Sequence, residues 1–260
     1  MTQLRPGGEP YLHLGDDTGC LLVHGLTATP GVLQELGQHL STQGRTVHGV
    51  RLFGHATRVQ DLERAHYRDW LASVEDGWSL LRPHCRQLYL IGHSLGGSLC
   101  LTLANELNPS GIVSISALDR MPFPSWARWF RWLRIVIRRV PKSRRDDWHD
   151  PTAAGRYLAY DSYPVNAAFQ FYDLLQIMQR QLAQIRTPVL FIQPPDDRMT
   201  GPRAMSRLYG AVGSLDKEML RLEGSNHIAP MDAARQDLFA AVSNFIERIH
   251  AGSRVKAVSA

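Results

Sequence analysis

Three cysteines in 260 residues are too few for a disulfide framework. Cys20, Cys85 and Cys100 each sit in an apolar run, which suits buried free thiols in a reducing compartment. No apolar run approaches the roughly 18 residues that span a bilayer. The segment from Met1 to Glu9 has no apolar stretch behind its charge, which argues against a signal peptide. These absences give the expectation of a soluble, cytoplasmic protein. Acidic residues are also in deficit, 24 against 29 Lys and Arg, leaving a formal charge of +5. A general basic surface would point to nucleic acid. Here the excess lies in one segment, Arg128 to Arg145, which carries eight basic residues before any acid, and a nucleic-acid partner is not favoured.

What is present is alternation. Short β-branched or leucine-rich runs (Cys20–His24, Thr46–Leu52, Gln87–Gly92, Gly111–Ala117, Pro188–Gln193, Glu218–Leu222) alternate with helical patterns. That order predicts an α/β fold, a doubly wound and mostly parallel sheet with helices on both faces. Helices are expected from Thr29-Pro30 to Leu40, over Asp69–Leu81, from Leu95 to about Leu107, and over Asp232–Ile249. The tail from Ala251 reads as disordered. With no repeat and no interdomain linker, one domain covers the chain. From Asp119 to about Leu182 no strand is evident, so this stretch reads as a small helical cap inserted between core strands.

Gly92-His93-Ser94-Leu95-Gly96-Gly97 matches G-x-S-x-G. The strand QLYLIG directly before it and the helix LGGSLCLTLANEL directly after it give the strand–turn–helix setting of a nucleophilic serine. A serine hydroxyl needs a base, and the base needs a carboxylate to hold its tautomer. In chain order the acid follows the serine and the histidine comes last. Asp196 and Asp197, after the strand PVLFIQ, fit the acid, and His227, on the loop before the final helix, fits the base. Two backbone N–H groups should bind the oxyanion, one from Leu95 after the nucleophile and one from Leu26 after the first core strand. His24, His55 and His93 lie nearby and read as structural.

Together these segments resemble the bacterial carboxylesterase and monoacylglycerol lipase group of α/β-hydrolases. His24 to Pro30 (HGLTATP) resembles its HGFTGTP loop, and Arg51 to His55 its R-x-x-G-H-G segment, with Ala56 at the second glycine. Asp69-Trp70 with Val74-Glu75, the elbow GHSLGG, Ile185-x-x-Pro188, Asp197-x-Met199 and Ser225-x-His227 resemble further motifs of the group. Counting from Pro188 without a gap sets the group's aspartate on Asp197, although a shift of one residue would exchange it for Asp196. The resemblance implies hydrolysis of small-molecule carboxylic esters or monoacylglycerols with no metal and no organic cofactor. Acyl transfer, C–C or amide hydrolysis on the same residues is the alternative, and a non-catalytic binding module a further one.

Within the insertion, Ser125–Val140 reads as a helix with an arginine stripe at Arg128, Arg131, Arg134 and Arg138. The plainer reading is a packed lid. The sharper one is a weak membrane-surface contact through the cap. As substrate-binding residues, Trp129 and Phe130 would set chain length, and Tyr160 and Asp161 would meet the alcohol.

Overall fold

A computed structural model describes residues 3–121, 132, 136–142 and 148–258, with the backbone alone for 253–258. In chain order its elements begin with β1 (Tyr11–His13), β2 (Thr18–Val23), α1 (Gln34–Thr42), β3 (Thr46–Val50), α2 (Val59–Glu63) and α3 (Tyr67–Leu81). They continue with β4 (Gln87–His93), α4 (Leu95–Leu107), β5 (Gly111–Ile115), β6 (Arg139–Pro141), α5 (Pro151–Ala154), β7 (Ser162–Pro164) and α6 (Val165–Gln181). The last are β8 (Val189–Gln193), α7 (Ala204–Ala211), β9 (Lys217–Arg221) and α8 (Arg235–Val258). Among the described residues the main sheet has seven strands in the order β1-β3-β2-β4-β5-β8-β9. All pairings are parallel except that of β1 with β3.

The apolar runs are continuous because the central strands bury both faces. Their side chains alternate between two cores. On β4, Leu88 and Leu90 join the core built with α3, α4 and α6, while Tyr89 and Ile91 join the core built with α1 and α8. On β8, Val189 and Phe191 face the first core, Leu190 and Ile192 the second. Helix α4 is buried from Leu95 to Ala104, so it is apolar all round rather than amphipathic.

The sheet and α4 meet more closely than side chains permit. A Cβ on Gly96 would lie 1.9 Å from the Val23 carbonyl oxygen, and one on Gly92 would lie 2.3 Å from the Gly96 carbonyl. The chain must therefore reverse within one residue, and Ser94 adopts φ 54°, ψ −117° to do so. A non-glycine residue there costs on the order of 1–3 kcal/mol. The N–H of Ser94 still donates to Ile115 O (2.8 Å), so the β4–β5 ladder holds the strained residue in place.

Four expectations need correction. The insertion contains strands, because β6 and β7 pair antiparallel. The helix expected over Ser125–Val140 does not reach Val140: Val136 lies in a turn, and Arg139 and Val140 are in β6. Val140 precedes Pro141, and a residue before proline is biased away from the helical region. The rest of that stretch lies largely outside the described residues, Trp129 and Phe130 included. Thr29-Pro30 opens a short 3-10 turn over Pro30–Leu33, with no side-chain cap from Thr29, before α1 begins. The tail is not irregular from Ala251, since α8 continues to Val258 through the helix formers Ala251, Arg254, Lys256 and Ala257.

The insertion is clamped to the body at its start and near its middle. Asp119, just after β5, is buried and accepts from Arg207 on α7, with Arg207 Nη2 at 2.7 Å, and from Arg120 at 2.9 Å. The backbone N–H of Asp150 donates to buried Asp232 (2.8 Å), and its carboxylate accepts from Arg235 (3.2 Å). Between them and β8, α6 packs Phe171, Leu174, Leu175 and Met178 into the core shared with α4.

The close approach at the elbow gives a direct test. Gly96→Ala should destabilise the protein by about 3 kcal/mol or more, because the clash is with backbone that cannot rotate away. Gly210→Ala, in α7 with no atom within 4 Å of its added Cβ, should stabilise by about 0.5–1 kcal/mol. Urea unfolding of the two variants beside the wild type measures both.

Candidate active site

The carboxyl ends of β2, β4, β8 and β9 deliver one residue group each. Ser94 follows β4, Asp197 lies on the turn after β8, His227 on the loop after β9, and His24-Gly25-Leu26 on the loop after β2. His227 Nε2 lies 3.1 Å from Ser94 Oγ, and Nδ1 lies 3.0 and 2.9 Å from the two oxygens of Asp197. With Nδ1–H donating to the carboxylate, Nε2 is left as the acceptor for the serine hydroxyl. Of the two adjacent acids, Asp197 is buried and faces the imidazole, while Asp196 is exposed.

Asp197 is held as an anion. Burial opposes its charge, but His227, through its charge and its hydrogen bond, and Thr200, through its N–H (3.1 Å), outweigh burial and lower the carboxyl to about 2. The N–H of Met199 adds a further bond at 2.9 Å. His227 is held through its backbone as well as its ring. His93 Nε2–H donates to the His227 carbonyl (2.8 Å), and burial keeps the His93 imidazole neutral by lowering it to about 3. Asp232, fully buried, accepts from Asn226 N–H (2.8 Å), one residue before His227. Sequence reasoning placed Asp232 only at a helix start and missed this role, because a partner six residues back on an irregular loop leaves no periodic signal.

On the β2 side, His24 is buried with its imidazole held neutral by desolvation. Its Nε2 accepts from Leu52 N–H (3.2 Å), so Nδ1–H donates to Gly25 O (2.9 Å). That carbonyl belongs to the same peptide unit as the N–H of Leu26, so the imidazole fixes the plane of that amide. Leu95 begins α4, and its N–H has no acceptor within the helix.

In front of Ser94 lies a cavity of about 340 Å³. Leu26, Leu118, Met121, Phe171, Met199 and Ile228 supply much of its apolar wall. Of the insertion residues expected to touch substrate, neither Tyr160 nor Asp161 lines it. Tyr160 is buried, its hydroxyl donating to Gly54 O (2.8 Å) and accepting from Thr57 N–H (3.0 Å). It thus braces the turn where Ala56 sits at φ 57°, the left-handed region that the resembling segment fills with glycine. Asp161 is exposed, and its carbonyl accepts from Lys142 N–H (2.9 Å). Lys142, which sequence reasoning had counted only as part of a basic run, does line the cavity. Among the described residues no three His, Cys, Asp or Glu side chains converge to hold a metal ion.

The fold is that of an α/β-hydrolase. Residues 17–233 match the family described as serine aminopeptidase, S33 (Hydrolase_4), and the chain belongs to that family, within its carboxylesterase and monoacylglycerol lipase group. It is 33% identical over 228 residues to a thermostable monoacylglycerol lipase of Bacillus sp. (strain H-257), covering 87% of this chain and 89% of the relative. It is 23% identical over 247 residues to a carboxylesterase of Bacillus subtilis (strain 168), covering 93% and 97%. Among solved structures, one from work on LipS and LipT, two metagenome-derived lipolytic enzymes, superposes with a TM-score of 0.88 at 28% identity, covering 95% of this chain and 100% of that one. The monoacylglycerol lipase of Paleococcus ferrophilus shares the fold with a TM-score of 0.80 at 19% identity, covering 93% and 98%.

The state of Asp197 sets a pH dependence. Its carboxyl is lowered in the folded protein, so the stability it contributes is present above its unfolded value near 4 and is lost as pH falls toward 2. Asp197→Asn should remove roughly 2 kcal/mol of that dependence, read as a shallower loss of stability between pH 4 and 2 in urea titrations. In turnover, Asp197→Asn should cost about 10⁴-fold, and Asp196→Asn far less. A larger loss from Asp196→Asn would reverse the assignment.

Proposed function

We propose that the protein is a serine esterase that hydrolyses short- to medium-chain carboxylic esters, monoacylglycerols among them, through an acyl-serine intermediate. The observation that carries this reading is His227 within hydrogen-bond reach of both Ser94 and buried Asp197, at the floor of an apolar cavity. Ser94 Oγ attacks the ester carbonyl while His227 Nε2 takes its proton, and Asp197 stabilises the imidazolium that forms. The N–H groups of Leu26 and Leu95 receive the oxyanion, the first already aligned by the His24 bond to Gly25 O. His227 then gives its proton to the leaving alcohol. A water molecule, deprotonated by His227, attacks the acyl-serine, and collapse releases the acid and restores the Ser94 hydroxyl.

The family description also names an aminopeptidase. A peptide's α-ammonium group would need an acidic partner, and the described residues lining the cavity include no Asp or Glu. Ester hydrolysis is therefore the better reading. The three buried thiols support a reducing, cytoplasmic setting, Cys20 being pushed up to about 12 by burial and so unreactive. In the insertion, Trp132, Val136, Ile137 and Val140 are exposed, which supports a weak contact with a lipid surface. Flotation with phosphatidylglycerol liposomes at low salt should bring up a fraction of the protein, and complete exclusion would remove that contact.

Ser94→Ala should abolish fluorophosphonate labelling and lower kcat on p-nitrophenyl butyrate by about 10⁴-fold to 10⁶-fold, with the circular dichroism spectrum unchanged. Labelling that persists in the folded variant would place the nucleophile elsewhere.

A further inference from the structure

The cavity before Ser94 carries a fixed charge at one described point. Lys142 follows β6 directly and is anchored there by its N–H bond to Asp161 O (2.9 Å), where the chain leads into β7. Its ammonium lies 5.0 Å from the ring centroid of Tyr163 and 5.7 Å from that of Tyr157, and all three residues line the cavity. The two tyrosine faces hold the cation by their quadrupoles. They confine it to the cavity wall, while the other lining contributed by Leu118, Met121, Val140 and Phe171 is apolar. Each of the three belongs to the insertion, so none is needed to build the triad.

A cation on the wall of such a cavity does nothing for an alkyl chain, which only takes water from it. An anion placed there gains a charge-assisted bond in a region of low dielectric, where attraction is stronger than in water. We propose that Lys142, steadied by Tyr157 and Tyr163, is a recognition point for an anionic group, carboxylate or phosphate, carried by the ester substrate. This rests on the esterase reading and narrows its substrate class to esters that bear a negative charge away from the scissile bond. The charge sits either on the acyl part, as in a half-ester of a dicarboxylic acid, or on the alcohol, as in an acyl glycerol phosphate.

Two substrate pairs test it by kcat/KM. Monoethyl adipate against ethyl hexanoate puts the charge on the acyl side, and 1-butanoylglycerol 3-phosphate against 1-butanoylglycerol puts it on the alcohol. In at least one pair the wild type should hydrolyse the charged ester as fast as its neutral partner or faster, and that advantage should shrink in about 0.5 M salt. In Lys142→Met the charged-to-neutral ratio of that pair should fall about tenfold or more. Lys142→Arg should restore it, and Lys142→Glu should lower it further. Rejection of the charged member in both pairs by the wild type overturns the proposal, and this arm needs no variant to fold. So does an unchanged ratio in Lys142→Met with both esters slowed together, the signature of a lysine that only braces the insertion. If the neutral esters are not turned over at Ser94 either, the esterase reading itself fails.

Discussion

The approach of α4 to the ends of β2 and β4 leaves room for glycine and nothing larger at Gly92 and Gly96. Because the helix starts against the sheet, the connecting residue must take a left-handed backbone, and its hydroxyl is thrust into the space above the strand ends. The same geometry puts the first N–H of α4 beside that hydroxyl. The proposed nucleophile and one proposed oxyanion donor thus arise from one steric fact. The strain at Ser94 is offset by the cooperative cores on both sides of the sheet, where α4 is buried along most of its length.

The remaining parts are positioned by fully buried polar groups rather than by packing. His24, His93 and Asp232 each bind a backbone group rather than a reacting atom. Burial keeps both imidazoles neutral, so each offers one donor and one acceptor, a fixed rather than a switchable polarity. In this way the orientation of the Leu26 amide and of His227 is decided by neighbours whose hydrogen bonds go to the backbone.

The elbow was legible because its signals are local: an apolar run, a glycine–serine turn and a helix follow one another without a gap. His227 was legible by chain order, and the choice between Asp196 and Asp197 required knowing which of two adjacent side chains turns inward. Three-residue strands were not legible. β1 is a short edge strand, and β6 and β7 contain arginine or proline and bury little, so neither alternation nor an apolar run marks them. Tyr160 shows the other limit. An aromatic residue in an insertion invites a role toward substrate, yet its hydroxyl is used up on Gly54 and Thr57, partners about a hundred positions away. Lys142 was hidden for the opposite reason, since a run of basic residues does not reveal which member turns inward.

The clamps at Asp119 and Asp150 bear on how such a protein can diversify. Arg207 grips the insertion as it leaves β5, and Asp232 grips it again through the Asp150 backbone, the latter carboxylate also steadying the loop that carries His227. Among the described residues between them, Arg120 alone takes part in either grip, through its bond to Asp119. The described stretch Arg139–Pro141 is tied instead to β7 and to Glu63, so a change in what covers the cavity would have to keep that pairing while leaving the residues around Ser94 untouched.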